Sequence, residues 1–328
     1  GTLRLSGASL KPEMSLDMSQ VSNPLLQSWS LRAGWTAQSG LLKLERFSSP
    51  DFKATARLPL SLGSEGLKPG QLEADLLLES YPLKRLGPLL GTQMDGTIAA
   101  SGGVFGRLDA LQPDLRLALN HPRAGALRLM EDWAGTFKGH SGGGGVLSMT
   151  SLGAVIAGSL EARLGANWLP TDVLLRRHRG SLSLTGTPAA YRWTASDLTV
   201  DGVELALPPR QRWEGLYGRM SGNGTLGLQP LAMTADLSLS RPGLMGLQLR
   251  QILISGRYAD RRYAVTGELL PPDTGQITVE AQGRLDGAFK GQAVARGLSA
   301  RWLSNSALSL PQLNQVAPQQ QGSASDLG

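Results

Sequence analysis

Apolar and polar residues alternate along most of this chain. The clearest run is 275–285, where Ile277, Val279, Ala281, Gly283 and Leu285 share one parity and Gln276, Thr278, Glu280, Gln282 and Arg284 the other. A period of two belongs to a β-strand with one dry and one wet face, and no helix reproduces it. A strand of this kind cannot hide its apolar face alone, so it must belong to a sheet. The same pattern returns at 72–78, with Leu72, Ala74, Leu76 and Leu78 inward, and at 114–120, with Leu115, Leu117 and Leu119. It is strict at 233–240, where Met233, Ala235, Leu237 and Leu239 oppose Thr234, Asp236, Ser238 and Ser240. Tyr263, Val265 and Leu269 mark one more such strand.

Between these runs the chain is punctuated by turn residues. Pro12, the pair Asn23 and Pro24, the stretch 63–70, and Pro271, Pro272 and Asp273 break it into short strands. Asp201 and Gly202 form a favoured two-residue turn, which predicts a hairpin over 198–207 pairing Val200 with Val203 and Leu198 with Leu205. Parity slips between Leu249 and Ile252, which predicts a bulge near Arg250 and Gln251. Asp286, Gly287 and Ala288 predict a three-residue loop. Residues 81–90 depart from the rhythm: Leu83, Leu86, Leu89 and Leu90 have helical spacing and Pro82 suits a first turn, so a short helix should plug one end of a sheet. Residues 298–313 have the same character. The segment 131–145, with its run of four glycines, reads as an irregular flexible loop. Connections are too short for parallel crossovers, so the strands should be antiparallel and consecutive.

Composition narrows the function more than it names it. The chain has 328 residues, 41% of them apolar, with 42 glycines, no cysteine and a net charge of +6. Disulfides, thiolate metal sites and cysteine nucleophiles are excluded. No window is long and apolar enough to cross a bilayer as a helix. No signal-peptide pattern opens the chain and Met does not begin it, which reads as a fragment whose membrane anchor lies elsewhere. His121, His140 and His178 have no partner at a metal-ligand spacing. Neither a nucleophile elbow nor a phosphate loop occurs, the glycine run lacking the Lys and Ser/Thr it would need. The expectation is therefore no enzyme, no cofactor and no metal. Arg176, Arg177, His178 and Arg179 form the strongest charge cluster, read as a solvated loop. Aliphatic rather than aromatic strand faces argue against nucleic acid.

One stretch carries a family likeness. Tyr81, Pro82, Leu83, Leu86, Leu89 and Leu90, then Asp95, Gly96, Thr97, Ile98, Ala99, Ala100, Ser101, Gly102, Gly106, Arg107, Leu108 and Pro113, resemble TamB and its AsmA-like relatives. In these a short helix precedes glycine-punctuated strands; 265–285 and 324–328 look similar, and the style resembles cyanobacterial members. The resemblance implies an all-β fold: a long curled antiparallel sheet, or β-taco, with an apolar groove and one or two short helices. It divides the chain into groove segments at 1–80 and 81–297, with 298–328 opening the next, and makes it a middle fragment. It implies a periplasmic, inner-membrane-anchored envelope protein that conducts phospholipid between membranes and supports outer-membrane protein assembly. Its partners would be phospholipid acyl chains and, through regions outside this fragment, an outer-membrane β-barrel protein. The expected groove lining is Leu115, Leu117, Leu119, Met233, Ala235, Leu237, Leu239, Tyr263, Val265, Leu269, Ile277, Val279, Ala281 and Leu285. Two alternatives stay open: a scaffold offering sheet edges to client strands, and an adhesive-type sandwich or solenoid with a self-filled core.

Overall fold

The structure is a computed structural model that describes residues 2–6, 13–63, 66–90, 92–153, 156–207, 212–228, 230–244, 247–284 and 287–302. Leu285 and most of 298–313 lie outside the described residues. The chain forms one long antiparallel sheet with almost no helix.

A first arm contains β1 (Thr2–Ser6), β2 (Glu13–Asn23), β3 (Gln27–Thr36), β4 (Leu41–Ser48), β5 (Phe52–Gly63), β6 (Gly66–Pro69), β7 (Leu72–Pro82), β8 (Met94–Arg107) and β9 (Ala110–Ala124). Each strand pairs antiparallel with the next, except that β6 folds back on the tip of β5 and leaves β5 to pair with β7. The Asn23 carboxamide accepts from the amides of Leu25 and Leu26, which closes the turn that Pro24 begins. Between β7 and β8 come a 3-10 turn at Leu83–Arg85 and one helical turn, α1, at Gly87–Leu90. The spacing of the leucines thus gives the expected plug: Leu83 and Tyr81 are buried. The Tyr81 hydroxyl donates to the Leu25 carbonyl at 3.1 Å, and Arg85 pairs with Asp51, tying the plug to turns of other strands. Trp29 stacks on Phe47 at 5.4 Å between centroids, and Phe52 meets Phe47 edge-on. The plug does not interrupt the sheet, for β7 and β8 pair directly across it.

A closed section follows, made of β10 (Leu127–Leu129), β11 (Asp132–Gly139), β12 (Gly145–Leu152), β13 (Gly158–Leu164), β14 (Pro170–Arg177), β15 (Gly180–Thr187), β16 (Ala190–Thr199) and β17 (Val203–Leu207). The second arm holds β18 (Arg212–Leu228), β19 (Leu231–Leu244), β20 (Leu247–Gln248), β21 (Gln251–Ala259), β22 (Arg262–Leu270), β23 (Gln276–Arg284) and β24 (Phe289–Arg296). In the closed section β10 and β11 lie end to end along β9, and β16 and β17 end to end along β18. Because β10 also pairs with β17, strands β9 to β18 form a closed circuit of ten.

Three local expectations are corrected here. Asp201 and Gly202 do not fold a hairpin back on itself. They make a jog between collinear β16 and β17, so Leu198 lies opposite Met220 and Leu205 opposite Glu214. The turn hydrogen bond from Val203 to the Val200 carbonyl forms all the same, so the local chemistry was read correctly and the partner was not. The segment 131–145 is regular rather than irregular: β11 and β12 pair over eight positions, and the glycines form their connection. Gly143 and Gly144 take positive φ, and a side chain on Gly144 would meet the Leu164 carbonyl at 2.2 Å, so the run is a tightly packed turn. Arg177 is not solvated, although Arg176, His178 and Arg179 are exposed; it is buried against Glu131 at 2.7 Å. The slip near Arg250 is present as the break between β20 and β21, opposite the positive-φ residue Arg241.

Candidate functional site

Directly paired residues of an antiparallel sheet share a face. The register therefore tells whether the dry parities of successive strands meet. They do, from end to end. Across the second arm Leu198, Met220, Leu239, Ile252, Leu269, Ile277 and Ala295 form one cross-strand row. Beside it run Ala195, Gly222, Leu237, Ile254, Gly267, Val279 and Ala293. A third row is Trp193, Gly224, Ala235, Gly256, Val265, Ala281 and Gly291, and a fourth is Tyr191, Leu226, Met233, Tyr258, Tyr263, Gly283 and Phe289. In the first arm Leu115 continues through Gly102, Leu76, Ala54, Phe47, Leu31 and Met18. No strand in either set slips its dry parity to the other face.

The opposite face is polar and bonded sideways. Arg32 pairs with Asp17 at 3.1 Å, Ser255 donates to Asp236 at 2.6 Å, and Gln292 to Glu280 at 2.8 Å. These groups are exposed, and each contact contributes little to stability. Their role is to keep the wet parity wet.

What distinguishes the arms from the closed section is cover. Of the ten buried apolar side chains among the described residues, seven belong to the closed section: Trp133, Met149, Ala162, Tyr191, Ala195, Leu198 and Val200. Tyr191 is 1% exposed, its hydroxyl donating across β15 to the Pro170 carbonyl at 2.7 Å, and burial pushes its phenol pKa above the usual value. The inner face of the closed section thus holds most of the buried side chains among the described residues, with Leu147, Leu160, Leu175 and Leu182 half-buried between them. On the second arm, buried residues among those described are confined to Pro242, Leu249 and Pro271 near one set of strand ends. The dry rows there are half-buried at most: Met233 is 44% and Val265 37% exposed, and Phe289 at the margin 72%. Aliphatic side chains on a regular sheet, with no second layer over them among the described residues, are an unfilled apolar surface of the kind that marks a binding face.

The expected lining residues divide accordingly. Met233, Ala235, Leu237, Leu239, Tyr263, Val265, Leu269, Ile277, Val279 and Ala281 come together on the uncovered face of the second arm. Leu115, Leu117 and Leu119 lie on β9 instead, where the first arm enters the closed section, half-buried against Phe137, Gly135 and Trp133. Sequence reasoning missed Ile252, Ile254 and Tyr258, which carry the face from β19 to β22. The unbroken apolar run Ile252, Leu253 and Ile254 hides their alternation. It also missed Trp193, whose indole crosses above Gly224 and donates to the Thr234 carbonyl at 3.3 Å. Any Cβ on Gly224 would stand 2.7 Å from that indole nitrogen, so glycine is what lets the ring cross. Among the described residues no three His, Asp or Glu side chains gather as a metal set. Comparison with known protein families, curated proteins and solved structures finds no match to this chain.

Proposed function

We propose that the uncovered face of the second arm is a contact surface for phospholipid acyl chains, and that the chain conducts lipid along its sheet. The reading is supported above all by one observation: four apolar rows keep register over β18 to β24 with no second layer across them among the described residues. Acyl chains suit such a surface because each buried CH₂ stabilises binding by about 0.8 kcal/mol without requiring a polar partner. The wet face meanwhile stays in water, so one ribbon serves both solvents. In the envelope setting that the TamB-like resemblance implies, the chain is a periplasmic segment passing phospholipid between the inner and outer membranes. Assembly of outer-membrane β-barrels belongs to its wider protein.

A second reading has its own support. Every residue of β24 is exposed and its outer edge is unpaired among the described residues, which suits a scaffold that receives a client strand. Mass spectrometry of lipid extracted from gently purified protein tests the first reading. Phospholipid should co-purify, and benzoylphenylalanine at Val279 should form lipid adducts under light while the same probe at Glu280 should not. A preparation free of lipid, with adducts only to protein along β24, would replace the conduit by the scaffold.

A further inference from the structure

Resting on the conduit reading, we infer that the pairing of β10 with β17 is a gate, held by Arg177, that separates the inside of the closed section from the open arms. Without this one pairing the strand order through the region is consecutive: β9, β11, β12, β13, β14, β15, β16, β18. The inner face of those strands is in register with the dry faces of both arms, Leu117 opposite Gly135 at one end and Ala195 opposite Gly222 at the other. Opening the seam would therefore not scramble the sheet. It would turn a closed circuit into a further length of the same open face.

The seam is short. Leu127, Arg128 and Leu129 lie opposite Leu205, Glu204 and Val203, flanked by hydrogen bonds from Ala206 to the Ala126 carbonyl and from Met130 to the Gly202 carbonyl. By contrast β11 and β12 pair over eight positions. The ion pair of Arg128 with Glu204 bridges it directly, and a buried charge reinforces it from the side. Arg177 stands at the end of β14, across the circuit from the seam, and its guanidinium reaches both bends beside it. It meets Glu131, between β10 and β11, at 2.7 Å, and donates to the Asp201 carbonyl, between β16 and β17, at 2.7 Å. Arg177 and Glu131 are each 4% exposed, and the Arg177 Nε has no partner there. Apolar packing could have filled this position at no cost in desolvation, so an ion pair here serves closure more than raw stability. With the seam shut, an acyl chain on the second arm is stopped by Trp193 and by the core behind it. With the seam open, lipid takes up the inner face that Met149, Leu160, Leu175 and Leu182 line.

The chain contains no cysteine, so a lock can be introduced cleanly. The two flanking hydrogen bonds leave Leu127 and Leu205 as a non-hydrogen-bonded pair, whose Cα separation of about 4.5 Å suits a disulfide. In chains carrying Leu127→Cys and Leu205→Cys, benzoylphenylalanine is placed at Leu160 inside the circuit or at Val279 on the arm. Each is irradiated with dioleoylphosphatidylethanolamine bearing a fluorescent headgroup. The oxidised chain should lose the lipid adduct at Leu160 and keep it at Val279, and reductant should restore the former. In the unlocked, cysteine-free chain, amide exchange of 126–130 and 202–206 should quicken when the same lipid is added. Equal Leu160 labelling in the two redox states, no Leu160 labelling when reduced, or seam exchange unmoved by lipid overturns the gate. Absence of adducts at Val279 in the reduced chain overturns the conduit reading itself.

Discussion

Val279→Glu separates an open lining from a filled core. Val279 sits on β23 between Gly267 of β22 and Ala293 of β24, half-buried, with no layer above it among the described residues. Burying a whole valine side chain stabilises by roughly 1.5–3 kcal/mol, so the half that Val279 buries contributes about 1 kcal/mol. Replacing a β-branched residue in a strand costs up to about 1 kcal/mol more. The small neighbours leave the new carboxylate room to stay hydrated, so the desolvation penalty is largely avoided. The expected loss is therefore about 1–2 kcal/mol, a melting shift of a few degrees for a chain of this size. Met149→Glu is the internal comparison. Met149 is buried in the closed section, where an unpaired carboxylate costs several kcal/mol or must protonate. Thermal melts followed by circular dichroism, with lipid crosslinking from Ile254→benzoylphenylalanine two strands away in the same row, read both effects. Val279→Glu should melt close to the parent and lose its lipid adducts; Met149→Glu should unfold. Equal destabilisation by the two, or a folded Val279→Glu that still loads lipid, refutes the reasoning.

Gly224→Val should destabilise by about 1–3 kcal/mol, because a side chain there meets the Thr234 carbonyl at 2.0 Å and the Trp193 indole; denaturant titration measures it. Glu131→Ala should cost about 3–5 kcal/mol by stranding the Arg177 charge, while Glu131→Leu combined with Arg177→Met should cost less than either single change in the same titration. Tyr191 supplies a pH signature: its phenol pKa is raised in the folded chain, so its contribution is complete below the usual phenol pKa near 10 and is lost as pH rises beyond it. Melting temperature plotted against pH should fall above about pH 10, and Tyr191→Phe should flatten part of that fall.

The strands and their faces were legible because the signal is local. Alternation over four or five residues settles which side chains share a face, and short turns exclude crossovers, so β22 and β23 emerge from 263–285 almost residue for residue, and 233–240 gives the middle of β19, which runs six residues longer. The Leu83 plug was legible for the same reason, its leucines changing period from two to that of a helix. Jogs were not. A turn dipeptide such as Asp201 and Gly202 makes the same local hydrogen bond whether the chain doubles back or merely steps sideways; the difference lies in what pairs with β17, which is β10, more than seventy residues earlier in the chain. The Arg177 contact with Glu131 is equally non-local, and a run of basic residues gives no sign that one of them points inward.

The closed section exposes a deeper limit of pattern reading. Leu160, Ala162 and Leu164 on β13 alternate in the same way as Ile277, Val279 and Ala281 on β23, yet the first set faces the inside of a closed circuit and the second a face with no second layer over it among the described residues. Binary pattern determines that a face is dry. Whether other side chains or a guest keep it dry depends on where the sheet closes. Trp133, Met149 and Tyr191 are buried inside the circuit. The second arm sets comparable residues, Leu239, Ile252, Leu269, Ile277 and Tyr263, on a face that no second layer covers among the described residues, with Gly256, Gly267 and Ala281 between them. An apolar face of this extent that the sheet does not close over is the pattern expected of a surface kept dry by something other than itself.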